Sequence, residues 1–189
     1  YIACRNGHLE CVQLLLGANA AVDQAKGDGA TPLLIACQNG HLEIVRLLLE
    51  ASAAVDQACD DGATPLFLAC GIGHVEIARL LIKAKAAIDH AMDDGATPLL
   101  IACQQGHVDI VRLLRDAGAS LNQATESGAT PLLIACQRGN VEIARLPREA
   151  RATVAPANEN GATPLLIACQ HGHLECAQLL RGAGADINQ

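Results

Sequence analysis

The chain has 189 residues, 51% of them hydrophobic, but only one Tyr, one Phe and no Trp, with 20 acidic against 13 basic side chains and a net charge of −7. That balance argues against a nucleic-acid surface, which needs basic residues and stacking aromatics. No apolar run approaches the roughly 18 residues of a membrane span, and the start lacks the basic-then-apolar pattern of a signal peptide, so a water-soluble chain is expected.

In chain order, Tyr1-Ile2-Ala3-Cys4 matches Leu34-Ile35-Ala36-Cys37, so residues 1–26 read as a partial copy of a unit whose opening is missing. The unit then recurs. Thr31-Pro32, Thr64-Pro65, Thr97-Pro98, Thr130-Pro131 and Thr163-Pro164 stand 33 residues apart, each with a glycine two positions before the Thr and Gly-His or Gly-Asn eight residues after the Pro. Self-similarity at such a period signals an array of one supersecondary unit. Full units fall at 27–59, 60–92, 93–125 and 126–158, and a last one at 159–189. No linker or low-complexity tract interrupts them, so 1–189 is expected to be one domain. Neither end carries the polar capping unit that stacked repeats need for solubility, which suggests a segment of a longer array.

Each unit is predicted to be two short antiparallel helices and a connector. Thr31 caps the first helix with its hydroxyl, and Pro32 takes the first helical position, where a missing N–H costs nothing. That helix should run from Pro32 to about Asn39 with Leu33, Ala36 and Cys37 on one face, and Gly40 should end it in the left-handed conformation. His41 then opens a second helix to about Ala51. Its charged residues Glu43, Arg46 and Glu50 form one narrow stripe, while Ile44, Val45, Leu47, Leu48 and Leu49 fill the rest. Surface that apolar cannot be hidden inside one unit, so neighbours must stack and share a core.

The 33-residue period, the Gly-x-Thr-Pro-Leu opening, the Gly-His that follows and Leu42-Glu43-Ile44-Val45-Arg46-Leu47-Leu48-Leu49 together resemble the ankyrin repeat, over the whole chain. The resemblance implies an all-α fold, an α-solenoid of stacked helix-turn-helix units with hairpin-like connectors. It also implies that partners dock on the connector tips and the exposed end of the first helix. One departure is systematic: where the family usually has His after Thr-Pro-Leu, this chain has Leu34, Phe67, Leu100, Leu133 and Leu166. An apolar contact is expected to replace the family's Thr to His hydrogen bond.

The units differ in quality. The position after the second helix, usually Gly in the family, reads Asn19, Ser52, Lys85, Gly118, Arg151 and Gly184. A left-handed backbone there would cost Ser52, Lys85 and Arg151 roughly 1 kcal/mol each. The unit starting at Glu126 is the poorest, with Pro147 where others have leucine, Pro156 in its connector and Asn140 in place of His. Its second helix is expected to end near Leu146 or to kink.

Six of the nine cysteines, Cys4, Cys37, Cys70, Cys103, Cys136 and Cys169, repeat at the period. They mark one core position. Stacked helices about 8–10 Å apart exceed the roughly 7 Å limit for a disulfide, so reduced thiols and a reducing compartment, cytoplasm or nucleus, are expected. Cys59, at a connector tip, should react first with a thiol reagent. Cys37 and His41, and their equivalents, are four apart, but Gly40 and its counterparts break the helix that would let them share a metal. No catalytic residue, cofactor or metal is expected, and an enzyme is not the reading.

Surface remains. The connectors Val22–Ala30, Val55–Ala63, Ile88–Ala96, Leu121–Ala129 and Val154–Ala162 hold ten acids and one base, leaving ten acids and twelve bases elsewhere. Candidate partner-binding residues are the tip acids Asp28, Asp60, Asp61, Asp93, Asp94, Glu126 and Glu159, with Met92 beside them, and Ile72, Gln105, Arg138 and His171 at first-helix ends. The expected function is a protein–protein interaction scaffold whose partner offers a basic segment, the chain itself being monomeric. The alternative is a structural spacer or intramolecular cover within a larger, enzymatic chain. Leu180 with Asp186-Ile187-Asn188 also resembles the motif of repeats hydroxylated on asparagine.

Overall fold

The computed structural model describes residues 1–149 and 157–186, with side chains outside 146–149. Among the described residues there are twelve helices and no strand, the all-α repeat class expected from the sequence. They form two compact units, Tyr1–Asp93 and Asp94–Gln189. The first holds the pairs α1 (Ile2–Asn6) with α2 (Leu9–Gly17), α3 (Pro32–Gln38) with α4 (Leu42–Glu50), and α5 (Pro65–Ile72) with α6 (Val75–Lys83). The second holds α7 (Pro98–Gln105) with α8 (Val108–Asp116), α9 (Pro131–Arg138) with α10 (Val141–Glu149), and α11 (Pro164–Gln170) with α12 (Leu174–Gly182).

The start of each first helix is set by its threonine. Thr31 Oγ1 accepts the Leu34 amide at 3.1 Å, and Thr64, Thr97, Thr130 and Thr163 do the same for Phe67, Leu100, Leu133 and Leu166. A buried hydroxyl is thereby satisfied while it stops the helix from fraying. The end is set by glycine. Gly40 has φ 76°, and a Cβ there would lie 2.7 Å from Cε1 of His74, whose ring covers it from the next pair. Both the backbone and the neighbour therefore demand glycine.

Within each unit, like packs on like: α1 on α3 on α5 and α2 on α4 on α6, then α7 on α9 on α11 and α8 on α10 on α12. The core lies between these two layers. In α4, Ile44, Val45 and Leu48 are buried and Glu43, Arg46 and Glu50 exposed, as the stripe predicts. Leu34, Phe67, Leu100 and Leu133 are buried at the column where the resemblance expects His. Glu43 meets Arg46, Glu76 meets Arg79 and Asp109 meets Arg112 at 3.4–3.9 Å, whereas Glu142 lies 3.9 Å from Arg112 on α8. Such exposed pairs contribute a few tenths of a kcal/mol each.

Two expectations about strain meet different outcomes. Ser52 and Lys85 are left-handed, φ 65° and 69°, like Asn19 at 59°, and Gly118 and Gly184 share the conformation. Arg151 and Pro156 lie outside the described residues. Ser52→Gly and Lys85→Gly should each raise stability by about 1 kcal/mol, with Asn19→Gly nearly neutral because Asn tolerates this region. Thermal unfolding of the three variants checks it, and unchanged midpoints for Ser52→Gly and Lys85→Gly refute it. The helix holding Pro147, by contrast, does not end near Leu146: α10 continues to Glu149. α10 packs on both α9 and α12.

Candidate protein-binding surface

The connector tips are tight turns built on a side-chain acceptor. Lys26 N donates to Ala30 O and Gly29 N to Lys26 O, both at 3.0 Å, closing the first tip. Asp28 Oδ1 then accepts the Ala30 amide at 3.1 Å, Asp61 Oδ1 that of Ala63 at 3.1 Å, and Asp94 Oδ1 that of Ala96 at 2.9 Å. Thr125 Oγ1 and Asn158 Oδ1 serve Ala129 and Ala162 in the last two tips. Neighbouring tips are tied through their backbones, Asp60 N to Asp28 O at 3.1 Å in the first unit, Glu126 N to Asp94 O at 3.0 Å and Glu159 N to Ser127 O at 3.5 Å in the second.

The acids therefore fall into two groups. The Ala30 amide, helped by the Lys26 ammonium 3.2 Å away, holds the Asp28 carboxyl below the usual range. The Cys59 thiol and then the Ala63 amide do the same for Asp61. These carboxylates, with Asp94, are already engaged in shaping turns. Asp60, Asp93, Glu126 and Glu159 are exposed, and among the described residues no hydrogen bond or ion pair engages their carboxylates. Their charge is available to a partner.

In the first unit Asp28, Asp60 and Asp61 wall a cleft of about 340 Å³ floored by Ala30, Leu34, Ala63 and Leu68, with Gln38 at its side. Ile72, 46% exposed, ends α5. Gln105 and Arg138 are the exposed last residues of α7 and α9, and His171 caps α11 with its ring stacked on His173, centroids 6.1 Å apart. Met92 is a correction: it is half-buried, not an exposed anchor, since its Cα lies 3.3 Å from where a Gly62 Cβ would stand. Adjacent tips lie too close for a side chain there to stand clear.

The cysteines need two corrections. Cys59 does not present a free thiol, because Sγ donates to Asp61 Oδ1 at 2.9 Å and lies 3.3 Å from the Ala63 carbonyl. Burial, then that carboxylate, push its pKa up to about 11. Cys169 is not a core residue: it is exposed, as is Cys11, while Cys4, Cys37, Cys70, Cys103 and Cys136 are buried. Burial pushes Cys103 and Cys136 up to about 12 and Cys37 and Cys70 higher. Since the thiolate is the nucleophile, a maleimide should label Cys169 and Cys11 first, Cys59 slowly and the buried set only on unfolding. Asp61→Asn should speed Cys59. Peptide mapping against time checks the order, and Cys59 leading would refute it.

Histidine and cysteine do not converge. The His41 ring Nε2–H donates to the Arg5 carbonyl at 3.0 Å and that of His173 to the Gln137 carbonyl at 3.1 Å, each reaching back to the preceding pair. Among the described residues no group of three or more His, Cys, Asp or Glu could hold a metal ion. None of the described helices is long and apolar enough to cross a membrane. Ile187 and Asn188 of the hydroxylation-like motif lie outside the described residues. A family model described as ankyrin repeats (3 copies) matches residues 1–92, 54–125, 85–146 and 118–189. No curated protein matches the chain.

Proposed function

We propose that this chain, which belongs to the ankyrin repeat family, is a protein-binding scaffold that engages a basic, extended or helical segment of its partner through its acidic connector tips. Ankyrin repeats are in general protein–protein interaction modules and are typically not enzymes. The observation that carries the finer reading is the set of unengaged tip carboxylates. Asp60 and Asp93 in the first unit, and Glu126 and Glu159 in the second, are exposed on turns whose geometry other side chains maintain. In the first unit Asp60 also overlooks a cleft with an apolar floor, which suits the aliphatic stem of a lysine or arginine. Ile72, Arg138 and His171 differ between repeats and would supply selectivity. The free, exposed thiols of Cys11 and Cys169 suit a reducing compartment, cytoplasm or nucleus.

Changing Asp60 and Asp93 to Asn and Glu126 and Glu159 to Gln removes four charges and leaves the turn acceptors intact. Wild-type protein should bind lysine- and arginine-rich peptides with an affinity that falls as salt passes about 0.15 M, where the screening length is near 8 Å. The variant should bind several-fold more weakly with a flatter salt response, read by fluorescence anisotropy. If both proteins respond alike, the acids only keep the chain dispersed, and the spacer or intramolecular-cover reading takes over.

A further inference from the structure

Three asparagines in this chain precede a glycine: Asn6, Asn39 and Asn160. That pairing is chemically labile, because the glycine nitrogen can approach the asparagine side-chain carbon with no Cβ in the way. All three side chains are exposed, so exposure does not choose among them. Backbone and packing do.

Asn6 and Asn39 sit at helix ends. Asn6 is the last residue of α1, and the amides of Gly7 and His8 both donate to the Ala3 carbonyl. Asn39 caps α3 with φ −93° and ψ 3°, its Nδ2 donates to the Ile35 carbonyl at 2.8 Å, and the His41 amide returns to the Ala36 carbonyl at 3.0 Å. The glycine after each is roofed by a histidine of the next pair: a Cβ on Gly7 would stand 2.8 Å from Cε1 of His41, and His74 covers Gly40 in the same way. Closing a ring there would mean turning the backbone out of a helix end that these bonds and rings hold.

Asn160 stands instead at a connector tip, in the place of Asp28, Asp61 and Asp94. In those three tips the side chain is tied back, its Oδ1 accepting the amide two residues on. In the last tip that amide, Ala162 N, goes to Asn158 Oδ1 at 2.9 Å, which also takes the Asn160 amide at 3.1 Å. The Asn160 carboxamide is thereby relieved of shaping the turn, and among the described residues no hydrogen bond engages it. The bond that must open first is Gly161 N to Asn158 O at 2.9 Å, in a surface turn of the kind that opens locally at little cost. Asp28 and Asp61, each with a further tip stacked beyond it in the first unit, are exposed at the same place, so this exposure belongs to the tip and not to its rank in the array.

We propose that Asn160 is a self-modification site, at which the folded chain deamidates faster than at Asn6 or Asn39 and gives its last tip the acid that the first three carry. The Gly161 nitrogen, losing its proton to solvent base, bonds to Cγ of Asn160, and the side-chain nitrogen leaves as ammonia. Water then opens the five-membered imide at either carbonyl. One water is consumed, one ammonia is released, and nothing is oxidised or reduced. Opening at one carbonyl leaves aspartate, so a carboxylate joins Glu159 on the tip. Opening at the other leaves isoaspartate, whose longer backbone cannot close the turn from Asn158 N to Ala162 O. None of this chemistry depends on what the surface binds.

Folded protein held at mildly alkaline pH should gain one mass unit in the peptide containing Asn160 at least about tenfold faster than in those containing Asn6 and Asn39, the kind of spread that local opening gives between a surface turn and a packed helix end. In urea, where only the shared Asn-Gly sequence acts, the three rates should converge. Isoaspartyl methyltransferase with a labelled methyl donor should mark the same peptide in aged protein. Asn160→Gln, which keeps the carboxamide but needs a larger ring, should lose both signals. No shift at Asn160 in the folded protein, equal rates at Asn6 or Asn39, rates that stay apart in urea, or a fast shift that survives Asn160→Gln would each overturn the proposal.

Discussion

Pro147→Leu should raise the stability of the second unit by about 3 kcal/mol, the cost of a proline inside a helix. α10 runs from Val141 to Glu149, so its proline is an interior residue and not a terminator. There it has no N–H to offer the carbonyl of Ile143. The aligned position in four other second helices is Leu48, Leu81, Leu114 and Leu180, each no more than 2% exposed, so leucine is also what this layer of the core accepts. Because stability in a repeat stack is close to a sum of units and nearest-neighbour interfaces, one weak pair loosens its neighbours as well. Hydrogen exchange should find amides 145–149 opening earlier than 46–50 in the wild type, and at comparable rates in the variant. Uniform exchange together with a neutral substitution would show that neighbouring packing already offsets the missing amide.

What could be read in advance divides by how local its cause is. Thr31, Pro32 and Gly40 act on their own backbone, so the helix they delimit was legible to within a residue. The left-handed Ser52 and Lys85 follow from column alignment alone. Cys59 was misjudged because its thiol finds Asp61 only once the turn has formed. Cys169 was misjudged because a column of identical cysteines shows that a position is shared, but not which side of the pair it faces. Since Cys4 is buried in the first unit while Cys136 is buried and Cys169 exposed in the second, the column within a unit faces the pair that follows it, a polarity visible only once the pairs have stacked. The tip acids were located correctly as exposed, but nothing local distinguishes Asp60 from Asp61; the hydrogen bond to the Ala63 amide does.

That polarity makes the same substitution costly at one place in a column and nearly harmless at another. Leu81 is fully buried, held between the pairs of the first unit, while Leu15 of the same column is 45% exposed. Leu81→Ala removes most of a packed side chain and leaves a cavity that the short, tightly packed helices cannot close, which costs about 2–5 kcal/mol. Leu15→Ala removes atoms already half in water and should cost under about 1 kcal/mol. Urea unfolding measures both. The expected result is a much lower midpoint for Leu81→Ala with an unchanged slope, and a midpoint close to wild type for Leu15→Ala. Equal losses would refute the difference in burial between the two positions.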